Sequence, residues 1–106
     1  MRVDENIIQE IVGEILKVAH PERVILFGSA ATGSMSRDSD MDLLVIEKSA
    51  ANPREETIKI RAALSGFGFP VDVIVMEAER FEETKNIIGG IAYPANKHGR
   101  VIYEAS

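Results

Sequence analysis

Gly28 and Ser29 close one apolar run of this chain, Asp40 and Asp42 open a second, and Asp72 is the second residue of a third. Each pairing suits the handling of phosphate charge. A glycine lets backbone come close to a phosphate, and the serine beside it adds a hydroxyl and an N–H donor. Side chains alternate along a strand, so Asp40 and Asp42 point to the same side. Two carboxylates on one face at a strand's solvent end can chelate a hard divalent cation, which prefers oxygen ligands. Asp72 stands among Val71, Val73, Ile74, Val75 and Met76. An acid in such a run costs free energy when buried unless something compensates, and a metal ion would compensate.

The elements that would position these residues follow from the apolar spacing. Ile7, Ile8, Ile11, Val12, Ile15, Leu16 and Ala19 recur on one helical face, with Asp4 as the cap and Pro21 as the end. Val24–Phe27 reads as a buried strand ending at Gly28, the small and hydroxyl-rich stretch 29–39 as a loop or short helix, and Met41–Ile46 as a second strand. Asn52-Pro53 is a cap followed by a first-turn proline, opening a helix over Arg54–Leu64 that a Glu55–Lys59 pair supports. Val71–Met76 is a third strand. Glu77–Lys97 reads as helix, weakened or kinked by Gly89, Gly90 and Pro94; Gly99 stops it, and Arg100–Glu104 is a last short strand. For Gly28-Ser29 to meet the Asp40/Asp42 pair, strands one and two must be antiparallel. The helix between strands two and three returns the chain to the same sheet end, so those two must be parallel, and Asp72 then faces the pair. The expected architecture is an α/β (α+β) domain, a small mixed sheet with helices packed on it.

Composition narrows the chemistry. The 106 residues fit a single domain spanning 1–106. A net charge of −5 argues against direct nucleic-acid binding, which uses basic patches. The absence of cysteine removes disulfides, thiolate catalysis and cysteine-ligated metal centres. His20 and His98 lie too far apart in sequence for a histidine pair of the HExxH type. No apolar stretch approaches the ~20 residues that span a bilayer, so no membrane association is expected and the chain reads as cytoplasmic. Competing motifs fail on named residues. A calcium loop over Asp38, Asp40 and Asp42 needs glycine where Leu43 stands and glutamate where Ser49 stands, and a P-loop needs lysine where Ser34 stands. Lys97 and His98 read as cations at a helix C-terminus, His20 as a helix end, Arg54, Glu55 and Glu56 as a solvated helix start, and Phe67, Phe69, Tyr93 and Tyr103 as core or interface fillers.

The run from Gly28 to Ile46, GSAATGSMSRDSDMDLLVI, resembles the GSxxxG…SDxDLLV element of the DNA polymerase beta-like nucleotidyltransferases. With the C-terminal Gly99–Tyr103, nearly the whole chain is similar to the minimal nucleotidyltransferases (MNT) that accompany HEPN toxins in prokaryotic toxin–antitoxin systems. The resemblance implies the polymerase-beta-like nucleotidyltransferase fold. It assigns Gly28 and Ser29 to the nucleotide triphosphate, and Asp40, Asp42 and Asp72 to two Mg2+ ions, with Asp72 also helping to activate the acceptor hydroxyl. It further implies ATP as donor, AMP as the transferred group, and a tyrosine of a HEPN toxin as acceptor, met in a hetero-oligomer. Thr32 stands where such proteins commonly carry arginine. That departure keeps a rival reading open, a non-catalytic antitoxin that neutralises its partner by covering it. A third reading is a transferase acting on a small hydroxylated molecule, although relatives of that kind usually carry an additional helical domain.

Overall fold

The computed structural model describes residues 5–28, 41–49, 52–68 and 71–105. These form α1 (Glu5–Val18), β1 (Arg23–Phe27), β2 (Met41–Glu47), α2 (Pro53–Ala63), a 3-10 turn (Ser65–Phe67), β3 (Val71–Glu77), α3 (Ala78–Thr84), α4 (Ala92–His98) and β4 (Arg100–Glu104). The strands make one sheet in the order β3-β2-β1-β4. β1 is antiparallel to β2 and β4, and β2 is parallel to β3. Both orientations required by the acid and glycine positions are therefore met, and the fold is α+β.

Alternation along β2 divides the core. Met41, Leu43 and Val45 meet Ile8, Ile11 and Ile15 of α1 and Ile60 of α2 on one face. Leu44 and Ile46 meet Phe81 of α3 and Ala92 and Ala95 of α4 on the other. A strand covered on both faces reads as a continuous apolar run, which is why β2 lacks polar alternation until its ends. The α1 stripe holds except at Leu16, which is exposed because it lies at the edge of the apolar face. The helix also stops at Val18, ahead of Pro21, and Asp4 lies outside the described residues.

Local signals explain α2. Asn52 accepts a hydrogen bond from the Glu55 backbone N–H at 3.2 Å, and Pro53 occupies the first turn, where no intrahelical N–H is required. The expected Glu55–Lys59 pair is not the one formed: Lys59 donates to Glu56 at 3.1 Å instead. Both spacings put the partners on neighbouring positions of the helix surface, and Glu56 is the one turned toward the sheet.

The single helix expected over Glu77–Lys97 is two. α3 ends at Thr84 and α4 begins at Ala92, with turns between them and Gly89 at φ +115. A positive φ cannot continue a right-handed helix, and glycine alone adopts it without strain. Pro94 falls in the first turn of α4, where it is tolerated. Gly99 ends α4 in extended backbone (φ −79, ψ 167), so its value lies in close approach, not in a left-handed turn. A Cβ there would come within 2.5 Å of Ile25 Cγ2 while also pressing on the Ala95 carbonyl. Gly99→Ala is accordingly expected to cost ~1–3 kcal/mol, the usual range for overpacking, as a lower chemical-denaturation midpoint. An unchanged midpoint would show that α4 can lift off β1 freely.

Candidate active site

β1 runs toward the sheet end at which β2 and β3 begin. Asp42 lies opposite Phe27 across the β1–β2 pair, and Asp42 and Asp72 are register partners across the parallel β2–β3 pair. Partners on adjacent strands stand ~4.8 Å apart along the sheet and point to the same face. That face is the one covered by α3 and α4, since Asp42 shares parity with Leu44 and Ile46. Asp42 is half-buried and Asp72 is exposed.

Gly28 completes the corner. It has φ +77, the left-handed region, and a Cβ built on it would run into the carboxylate of Asp42. Two independent demands thus fix glycine here: the turn that ends β1, and the space that the acid occupies. The sequence supplies the first through the Phe27-Gly28 boundary. The second becomes visible only once the antiparallel register sets Phe27 against Asp42.

Of the five residues singled out from sequence, the structure brings Gly28, Asp42 and Asp72 to one sheet end. Ser29 and Asp40 lie outside the described residues, as do Thr32 and Phe69. One expectation is corrected. Asp72 does not sit in a buried strand: β3 is an edge strand in which only Val73 is fully buried, and the acid is open to water. It needs no metal to offset a burial cost. Among the described residues no group of three acids or histidines is assembled to hold a metal. The Asp42–Asp72 pair nevertheless has the donor chemistry of a hard divalent cation: two carboxylates, in register, on one face, at a strand terminus.

The other chemistry-bearing residues fall into structural roles. Lys97 donates to the Tyr93 hydroxyl at 3.1 Å and stands 5.5 Å from its ring centre, within α4. Tyr103 and Phe67 pack against the core, and His20 is exposed after α1. No helix among the described residues is long and apolar enough to cross a membrane.

A family model, the nucleotidyltransferase domain, matches residues 6–92, which takes in Gly28, Asp42 and Asp72 together with the sheet core. The chain belongs to the nucleotidyltransferase domain family. No protein of curated function matches it significantly in sequence. Solved structures share the fold of this nucleotidyltransferase domain. A toxin–antitoxin crystal structure with AMP-PNP superposes with a TM-score of 0.65 at 17% identity, covering 93% of this chain and 74% of that one. A candidate nucleotidyltransferase from Sulfolobus solfataricus gives 0.61 at 22% identity, covering 91% and 76%. A mutant of the toxin–antitoxin MntA-HpeT gives 0.63 at 14% identity, covering 93% and 74%. The expected polymerase-beta-like nucleotidyltransferase fold and the resemblance to MNT proteins agree with these neighbours.

Proposed function

We propose that this nucleotidyltransferase domain transfers AMP from ATP to a hydroxyl of a toxin partner of the HEPN type, and so acts as an antitoxin. The observation that carries the reading is the in-register Asp42–Asp72 pair beside Gly28. It gathers carboxylates and closely approachable backbone at one sheet end, where a triphosphate and an acceptor hydroxyl can meet. Asp42 and Asp72, with Asp40, are the residues that would hold Mg2+, which when bound neutralises triphosphate charge and polarises the reacting phosphorus.

The chain's own residues do the positioning. Gly28, having no side chain, leaves room for the Asp42 carboxylate at the β1 terminus while its own exposed backbone stays open to the donor's phosphates, and Ser29 would add a hydroxyl and an N–H. Asp72, open to water at the sheet edge, is placed to accept the proton of an incoming acceptor hydroxyl. Asp42, half-buried against Gly28, holds its carboxylate in a lower effective dielectric than Asp72, where charge interactions are stronger. Nucleotidyl transfer depends on such placement and charge balance more than on covalent participation by the protein. Toxin–antitoxin neighbours, one solved with AMP-PNP, support both the nucleotide and the partner.

The test is mass spectrometry of a HEPN-type toxin partner after incubation with the domain, Mg2+ and ATP. Addition of one or more AMP units to a tyrosine of the toxin, dependent on metal, is the expected result. Neutralisation of the toxin with no mass gain and no need of ATP would instead establish the covering antitoxin. Loss of free ATP to a small hydroxylated acceptor, with the toxin unmodified, would establish the third reading.

A further inference from the structure

β2 carries acid at both ends, and the end away from Asp42 is the more deeply buried. Glu47 continues the core-facing alternation Met41, Leu43, Val45 and is only 6% exposed. Opposite it stands Glu56, in the first turn of α2, whose expected solvated position is corrected by the structure: it is half-buried, and its Oε2 is shut off from water. Glu47 Oε1 is likewise buried, and neither oxygen receives a hydrogen bond from a protein donor. The two carboxyl groups are nonetheless neighbours, and Glu56 acts directly on Glu47. Ionised carboxylates only accept. Two that face each other inside a protein repel and are left unsatisfied unless one of them carries a proton, which then bridges the pair.

The surroundings decide which one carries it. Lys59 donates to Glu56 Oε1 at 3.1 Å, whereas no protein donor reaches Glu47 Oε1. Burial, then the Glu56 charge, then the hydrogen bond with Glu56 raise Glu47 above the ordinary carboxylate range, while Lys59 and His20 pull it partly back. The neighbouring charges Lys48, Glu22 and Glu77 are exposed, the last beside Glu47 in the β2–β3 register. We propose that Glu47 and Glu56 share one proton, and that this proton latches the first turn of α2 to the end of β2. α2 is the crossover between the strands that carry Asp42 and Asp72, so the latch braces the element joining the two acids from the opposite sheet end. The inference stands independently of the reaction the domain performs.

The sign follows from linkage. A carboxyl raised in the folded state contributes stability that is fully present below the unfolded value of ~4.5 and is lost as pH rises through the folded value. Glu47→Gln keeps the shape and supplies a permanent N–H donor to Glu56. Its melting temperature is expected to exceed that of the unaltered protein at neutral pH, by a few degrees (~4–8 °C), and the excess should vanish toward pH 4.5. In the unaltered protein the Glu47 side-chain carboxyl carbon, followed by NMR, should titrate above the ordinary glutamate range, with amides of residues 54–57 moving in step. Lys59→Met should carry that titration to higher pH. A merely space-filling Glu47 would move none of these midpoints. The proposal is overturned if the Glu47 carbon titrates at or below the ordinary value, or if the difference in melting temperature between the two proteins is independent of pH. Should Glu47→Gln fail to fold, the carbon titration of the unaltered protein decides alone.

Discussion

Under the proposed function, Asp42→Asn is expected to lower AMP transfer to the toxin partner by at least ~10²-fold, a loss of the size seen when one preorganised group facing developing charge is removed. Asparagine keeps the outline of the side chain but cannot supply a full negative charge to a divalent cation. Asp42 is the more sensitive of the two register partners because it is half-buried, whereas Asp72 is open to water and more strongly screened. Asp72→Asn is therefore expected to fall less far. The measurement is labelled-AMP incorporation into purified toxin, with the complex followed in parallel by size-exclusion chromatography. Complex formation should survive, since a partner interface spreads its energy over many residues and seldom rests on one metal-facing carboxylate. A variant that keeps half the unaltered rate would remove Asp42 from the chemistry.

Gly28→Ala is expected to damage stability and activity together. Holding alanine at φ +77 costs ~1–3 kcal/mol, and the new methyl must also displace the Asp42 carboxylate or bend the β1 terminus. Gly68 supplies a matched control. It has nearly the same backbone angle, φ +78, but nothing lies within 4 Å of a Cβ built there. Gly68→Ala thus carries the backbone strain alone and should leave transfer unchanged. Denaturation midpoints and transfer rates for the two variants separate strain from collision. Equal activity losses would mean that the space beside Asp42 does not matter.

Strand existence and direction were legible because each rested on a requirement that the residues themselves impose. Gly28 had to end β1, Asp42 had to begin β2, and the α2 signals between β2 and β3 demanded a parallel return; the sheet obeys all three. The exposure of Asp72 was not legible, because Val71–Met76 reads the same whether a strand is central or, as here, at an edge with a neighbour on one side only. The split between α3 and α4 was legible only as a weak point at Gly89 and Gly90, not as a full break. Residues 85–88 do not themselves forbid a helix, and it is the positive φ at the exposed Gly89, which glycine adopts without strain, that turns the weak point into a break. Glu56 looked solvated because helix-start acids usually are. Only the parity of β2 from Met41 to Glu47 would have suggested a second buried acid, and it says nothing about which helix lies across from it.

The Asp42–Asp72 register also governs where this gene can change length. A strand's side chains alternate with a period of two, so adding one codon inside β3 just after Asp72, with the pairing of residues 73–77 to β2 kept, turns Asp72 over. It would then point to the face that α1 and α2 fill, and break both the core and the acid pair in one step. Point substitutions at the same positions allow gradual change; an indel does not. The connection from residue 85 to 91 has no such phase to keep, since it joins two helices through turns. Length drift in descendants of this domain is accordingly channelled into that connection and away from the strands, whatever sequence the strands come to carry.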